Sequence, residues 1–223
     1  MSIAQNIAEI KRNIDTTKVK LVAVTKNHSV SAMLEAIAAG ITAVGENRVQ
    51  EMLAKHPDIQ AAGKQVEWHL IGHLQTNKVR QAVPLAALIH SVDSQRLAIE
   101  IDKTAGKLGK RQDVLLQVNV ADEESKFGIE LGQALVLAKQ ISQLEHVRLC
   151  GLMTIAPYTE NAETVRPVFK EFYQLFSELK ALNLTNTDIK WLSMGMTNDY
   201  MVAVEEGANL VRIGTGIFGS RQY

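Results

Sequence analysis

The sequence predicts an α/β barrel of eight parallel strands, and three observations carry that prediction. Short β-branched runs alternate with longer segments of helical period along the 223 residues, the runs number eight, and no glycine-rich turn follows the first. The alternation argues for parallel strands joined by crossovers. Eight βα units can close into a (β/α)8 barrel, whereas a doubly wound open sheet usually stops earlier and tends to carry glycines after its first strand. Here that strand ends in Thr25-Lys26-Asn27-His28.

The opening residues 1–15 place Ile3, Ile7, Ile10 and Ile14 at helical spacing, with Glu9, Lys11 and Arg12 between them. This describes an extra amphipathic helix ahead of the barrel, not a signal peptide. Strands are expected at residues 20–25, 42–45, 66–71, 86–90, 113–120, 147–154, 188–192 and 209–213. Helices are expected near 31–39, 48–61, 77–82, 94–108, 131–144, 162–183 and 199–207. The clearest is the sixth of these. Val165, Val168, Phe169, Phe172, Phe176, Leu179 and Leu182 mark one face, and Pro167 stands near the start, where a missing N–H costs little. Gly40 and Gly207 each follow a helical segment and can supply a left-handed C-terminal cap. The last βα unit is expected to be reduced to the tail 216–223.

Length alone permits one barrel domain or two small ones. Only four prolines occur and no stretch is rich in Ser, Gly and Pro, so no linker divides the chain and 1–223 reads as a single domain. Lys plus Arg equals Asp plus Glu at 24 each, which argues against nucleic acid or an anionic membrane as partner. No apolar run approaches the roughly 20 residues needed to cross a bilayer. The single cysteine, Cys150, sits in a buried-strand pattern and allows no internal disulfide, which fits a reducing compartment. A cytoplasmic protein is expected.

The chemistry starts from Lys26, at the end of the first apolar run. An ammonium where a buried strand meets a loop can be partly desolvated, which lowers its pKa and makes the neutral amine a nucleophile toward aldehydes. The ordinary reading of such a lysine is a solvated surface residue. In a barrel, however, the C-terminal ends of all the strands ring one mouth. That brings Lys26 toward Ser193-Met194-Gly195-Met196-Thr197-Asn198-Asp199, after the seventh run, and Arg212-Ile213-Gly214-Thr215-Gly216, at the end of the eighth.

Both segments combine glycines with hydroxyl donors, and barrels commonly bind phosphate in the loops after strands 7 and 8. The bland alternative is two ordinary turns, with Thr197 or Asn198 as an N-cap. A lysine facing a phosphate cradle points to a phosphorylated aldehyde, a class that includes sugar phosphates and pyridoxal 5′-phosphate. Arg212 could hold a second phosphate, donate to a pyridine nitrogen, or pair with Glu205 or Glu206. A guanidinium facing a pyridine nitrogen would leave it unprotonated and weaken the ring as an electron sink.

These residues resemble the family of pyridoxal phosphate homeostasis proteins. The resemblance rests on seven ordered motifs: Ala23-Val24-Thr25-Lys26, Gly45-Glu46-Asn47-Arg48-Val49-Gln50-Glu51, the run from Glu67-Trp68-His69 to Gln75-Thr76-Asn77-Lys78, Glu123-Glu124-Ser125-Lys126-Phe127-Gly128, Gly151-Leu152-Met153-Thr154-Ile155-Ala156-Pro157, Ser193-Met194-Gly195-Met196 and Val211-Arg212-Ile213-Gly214-Thr215. It implies a barrel of the alanine racemase N-terminal-domain type, with Lys26 as the aldimine lysine for pyridoxal 5′-phosphate. It also implies that Ser193, Gly195, Met196, Thr197, Gly214 and Thr215 hold the cofactor phosphate. Arg212 would face the pyridine nitrogen, and Asn47 and Met153, at the ends of the second and sixth strands, would be pocket-wall positions. The chain departs from the family's commonest pattern at Asn27 and His28, where a small hydroxyl residue and a basic one are frequent, and at Thr197-Asn198, which keeps the hydroxyl.

By the same resemblance, Lys126 would be a transient second contact for the aldehyde, against the plainer reading of a solvated lysine paired with Glu123 or Glu124. His69 and His73 do not share a helical face, so no metal site is expected; His69 reads as a packed, hydrogen-bonded histidine and His73 as a polar group at the mouth. Three functions share the lysine and phosphate loops. A carrier holds pyridoxal phosphate reversibly and passes it to apoenzymes. An amino-acid racemase needs a second acid/base across the ring, which the related racemases take from a further domain of a partner subunit. A Schiff-base aldolase would act on a sugar phosphate with no cofactor. The carrier is expected because the chain ends about where its barrel would close and Tyr158, Tyr173, Tyr200 and Tyr223 offer no obvious second proton shuttle, with Tyr158, close after the sixth strand, left open as one; the lack of a second domain favours a monomer.

Overall fold

The computed structural model describes residues 2–120 and 127–219. Eight strands form the barrel: β1 Lys20–Val24, β2 Ala43–Glu46, β3 Glu67–Leu70, β4 Leu88–Val92, β5 Gln112–Asn119, β6 Val147–Met153, β7 Thr187–Ser193 and β8 Leu210–Ile213. Each pairs in parallel with its sequence neighbours, and β8 pairs back with β1 through Lys20 and Leu210 to Ala23 and Ile213, closing the sheet. All eight expected strands are present. β4 runs two residues past its expected end because Ser91 and Val92 are fully buried and continue the ladder. A two-residue strand, Ile129–Glu130, adds to the end of β5 and was not expected from its composition.

The helices are α1 Ile3–Asn13, α2 Val30–Ala38, α3 Val49–Ala61, α4 Val79–Ala82, α5 Gln95–Lys107, α6 Ala134–Ile141, α7 Arg166–Ala181, α8 Tyr200–Glu205 and α9 Thr215–Phe218. α1 opens with a capping box in which Gln5 N–H donates to Ser2 Oγ at 3.3 Å and Ser2 N–H donates to Gln5 Oε1 at 2.8 Å. It buries Ile7 and Ile10, and Asn6 Nδ2 donates to Ile217 O at 2.8 Å, tying the opening helix to α9. In α7 the expected face buries Phe169, Phe172, Phe176 and Leu179, with Pro167 in the first turn. The larger core lies between these helices and the outer face of the sheet.

The barrel interior has its own apolar layer: Val22, Ala43, Leu88, Leu115, Cys150, Met153 and Leu210, from six strands. Burial pushes the Cys150 thiol up to about 12, so it packs there as an inert apolar group. Gly151 opens a register shift between β6 and β7, with φ +146°; a Cβ there would stand 1.9 Å from Trp191 O. The β7–β8 ladder holds a single pair, Ser193 with Leu210. Asn209 extends it with its side chain, whose Oδ1 accepts from Leu192 N at 2.7 Å while Nδ2 donates to Lys190 O.

Candidate functional site

A cavity of about 260 Å³ opens at the C-terminal ends of β1, β7 and β8. Lys26, Met196, Thr197, Arg212, Gly214 and Thr215 line it, so six of the ten residues expected to hold a cofactor meet in one place. Of the other four, Ser193 and Gly195 lie behind the wall. Ser193 is fully buried and accepts from Arg212 Nη1, and Gly195 O accepts from Arg212 N at 3.0 Å. Gly195 takes φ +91° against α8, where a Cβ would fall 2.7 Å from that of Ala203. Met153 belongs to the interior layer, and Asn47 lines a separate cleft with Arg48, His73 and Lys78.

Lys26 sits in a turn pinned on both sides. Lys55 Nζ, from α3, donates to Thr25 O at 2.8 Å, to Glu46 Oε1 at 2.8 Å and to Glu51 Oε2 at 3.1 Å. Glu51 Oε2 in turn accepts from Asn27 N at 2.7 Å, and Thr25 Oγ1 donates to Glu46 Oε1 at 2.7 Å. Asn27 has φ +62°, a left-handed conformation that asparagine tolerates better than most residues. The neighbouring His28 ring stacks on Phe218 with centroids 4.4 Å apart, joining the lysine turn to α9.

At the ends of β7 and β8, Thr215 Oγ1 donates to Thr197 Oγ1 at 3.1 Å, and Gly216 N donates to the same oxygen at 3.2 Å. Thr197 is thus held as the acceptor that joins the two loops. Asp199 braces the first loop by accepting from Met196 N at 2.6 Å. Burial raises the Asp199 pKa, against that hydrogen bond and the nearby Arg212 charge. Asp199 lines the cavity and was not singled out in sequence, where it only begins the helix expected at 199–207, with Thr197 or Asn198 as the alternative N-cap. Pro157, Tyr158 and Thr159, after β6, complete the rim, with Tyr158 81% exposed.

Arg212 is buried to 3% exposure, and burial pulls its pKa down to about 10, still protonated at neutral pH. Besides Ser193 it donates from Nη2 to Thr154 O at 2.7 Å. The ion-pair alternative for Arg212 does not form: Glu205 and Glu206 both pair with Arg166. His69 is the packed, hydrogen-bonded histidine expected, and His73 stands 3.5 Å from Asp93 Oδ2 and stacks on Phe127. Lys126, Glu123 and Glu124 lie outside the described residues, as does Tyr223. An amine, a pair of hydroxyl-bearing loops and a buried guanidinium lining one cavity are a donor set fitted to an aldehyde that carries an anion and a ring acceptor.

A closed parallel barrel with an amine at the mouth of its first strand defines a class. The alanine racemase, N-terminal domain family matches residues 1–222, and the chain belongs to it. Among curated proteins, a pyridoxal phosphate homeostasis protein of Aquifex aeolicus is 45% identical over 92% of this chain and 88% of its own length. Another, of Haemophilus influenzae, is 40% identical over 100% of this chain and 98% of its own. The chain is a member of the pyridoxal phosphate homeostasis protein family. Among solved structures, PipY of Synechococcus elongatus PCC7942 superposes with a TM-score of 0.91 without PLP and 0.89 with PLP bound. The identities are 39% and 38%, covering 98% of this chain and 100% of that one.

Proposed function

We propose that this protein binds pyridoxal 5′-phosphate through Lys26 and takes part in intracellular homeostasis of that cofactor, holding it for delivery to apoenzymes. The observation that carries the reading is the convergence of Lys26, Thr197, Thr215 and Arg212 on one cavity in a chain of this family. The cofactor supplies an aldehyde that condenses reversibly with a primary amine, releasing water. The chain's own residues do the rest. The Lys55–Glu51 brace fixes the backbone on either side of Lys26 and so aims its amine. Met196, Thr197, Gly214 and Thr215 would take the phosphate with hydroxyls and backbone N–H groups, with Ser193 and Gly195 supporting that wall. Arg212 would turn its remaining N–H groups to the ring nitrogen, a donor-only partner that keeps this nitrogen unprotonated.

Racemisation would need a second acid/base across the ring from Lys26. Tyr158 is exposed on the rim, and among the described residues no side chain bonds its hydroxyl, so nothing holds it in register for proton return. The same reading takes residues 1–223 as one cofactor-binding domain, working as a cytoplasmic monomer. Among the described residues no helix is long and apolar enough to cross a membrane.

The test is a visible spectrum of the purified protein mixed with pyridoxal phosphate. A band that borohydride bleaches, with the matching mass fixed on the peptide bearing Lys26 and lost in Lys26→Ala, is expected. A protein that stays colourless with added cofactor refutes the reading. Deuterium wash-in at Cα of alanine is expected to stay at the rate of free cofactor, and size-exclusion chromatography to give a single-chain mass.

A further inference from the structure

The barrel interior carries a file of polar side chains that runs from the N-terminal rim to the floor of the cavity. It starts at the N-terminal rim, where Lys20 Nζ pairs with Glu67 Oε2, the first residues of β1 and β3. Glu67 Oε2 lies 3.4 Å from His69 Nε2, the loosest link. His69 Nδ1 is 2.9 Å from His90 Nε2, and His90 Nδ1 is 3.1 Å from Ser193 Oγ. Ser193 Oγ meets Arg212 Nη1 under the cavity. His69, His90 and Ser193 are at most 1% exposed.

The chemistry of the two ends fixes every proton between them. A guanidinium only donates and a carboxylate only accepts. Ser193 Oγ therefore accepts from Arg212 and turns its own hydrogen to His90 Nδ1, which must be bare. His90 then carries its proton on Nε2 and donates to His69 Nδ1, and His69 donates from Nε2 to Glu67. Both rings are neutral and both are the Nε2–H tautomer. Reversing the file would leave the Ser193 hydrogen buried without an acceptor and set a bare His69 nitrogen against the Glu67 carboxylate. Burial acts in the same sense, lowering the pKa of both rings.

We propose that His90 and His69 are positioning residues for Arg212: a one-way hydrogen-bond file across the barrel holds Ser193 as an acceptor and so fixes the guanidinium under the cavity. The file rests on the geometry alone, and its role toward a ring nitrogen rests on the function proposed above. With one N–H group on Ser193 and one on Thr154 O, the orientation of the planar guanidinium is set, and so are the donors it turns to the cavity. Ser193 can hold Arg212 in this way only while its own hydrogen has somewhere to go, and that place is His90.

The first experiment needs no cofactor. Two-bond proton–nitrogen correlation spectra of the full chain with labelled histidine, at neutral pH, are expected to show two rings as neutral Nε2–H tautomers. They are assigned by the signals lost in His69→Gln and His90→Asn. An Nδ1–H tautomer or an imidazolium at either position overturns the file. The second experiment loads the protein with pyridoxal phosphate and follows its release by absorbance. His90→Leu removes the acceptor for Ser193 and is expected to speed release by about tenfold, the usual effect of losing a hydrogen bond to a charged group. His90→Asn puts an amide oxygen where Nδ1 stands and is expected to stay within about twofold of the parent, on the same reasoning.

Where His90→Leu does not fold, His90→Gln, which keeps the Nε2 side and loses the acceptor, takes its place with the same expected speed-up. Release at the parent rate from either folded variant refutes the positioning role. Failure of the parent protein to take up the cofactor overturns the function and the file's role toward the ring, while the tautomers separately decide whether the file exists.

Discussion

Lys55 is the residue on which the lysine turn depends, because it neutralises Glu46 and ties down Thr25 from the same ammonium. The Glu46 side chain is fully buried, one of its oxygens, Oε2, has no hydrogen-bond partner among the described residues, and burial raises its pKa against the hydrogen bonds from Lys55 and Thr25. Removing the cation leaves a buried carboxylate without compensation. Lys55→Met is expected to lower unfolding free energy by about 3 kcal/mol in urea titration, and Glu46→Gln added to it to recover much of that loss. An unchanged denaturation midpoint would mean that the pair does not hold the turn. None of this was legible in sequence. Glu46 and Glu51 stand there only within the Gly45–Glu51 motif and Lys55 only within a helical segment, and only the pairing of β2 beside β1 turns them toward Lys26. The same holds for His90, which in sequence is only the last residue of the expected strand 86–90; that it and His69 both face inward on adjacent strands needs the register of β3 with β4.

At the scale of elements, periodicity located the strands and long helices well because burial on one face is written directly into spacing. α7 shows this best, with Phe169 and Phe172 fully buried where the 3.6-residue repeat puts them. Phe172→Ala should cost about 3–5 kcal/mol, readable as a lower thermal midpoint by calorimetry, whereas Tyr173→Ala, on the exposed side, should cost far less. Equal losses would refute the assigned face. What spacing did not reveal are features made by backbone rather than side-chain pattern. The Gly151 register shift, the short strand Ile129–Glu130 and the left-handed Asn27 each answer to a neighbouring strand or loop that is distant in sequence. The loops after β7 and β8 were legible as motifs, yet which of their residues face the cavity was not: Thr197 does and Ser193 does not, since Ser193 is the last inward position of β7 and lies below the mouth.

For the whole molecule, the buried histidines set a direction for pH dependence. His69 faces Glu67, Lys20 and His90, while His90 faces His69, Lys20 and Arg212, and burial places both rings below the ordinary value of 6.5. As pH falls, the unfolded chain takes up these protons first, so stability is full above about 6.5 and declines below it. Glu67 works in the same sense further down: the His69 hydrogen bond, with help from Lys20, holds its pKa at about 2, so its contribution fades as pH drops from 4.5. Urea midpoints measured from pH 8 to pH 5 are expected to fall, and His69→Gln with His90→Asn to flatten the slope. A parent midpoint that does not move over that range would contradict neutral buried rings.

The stack of His28 on Phe218 joins the turn after the first strand to the last helix, across the line where β1 meets β8. Lys26 and Thr215 stand on opposite sides of that line, nearly the whole chain apart in sequence. The cavity therefore does not exist in any partly assembled barrel; it is completed by the strand pairing of longest sequence separation, β1 with β8, whose loop entropy is the largest of the strand pairings to overcome in folding. Ligand capture should accordingly be the last property to return on refolding, after the secondary structure and the helix–sheet core. A nascent chain would gain it only once its final strand has been made.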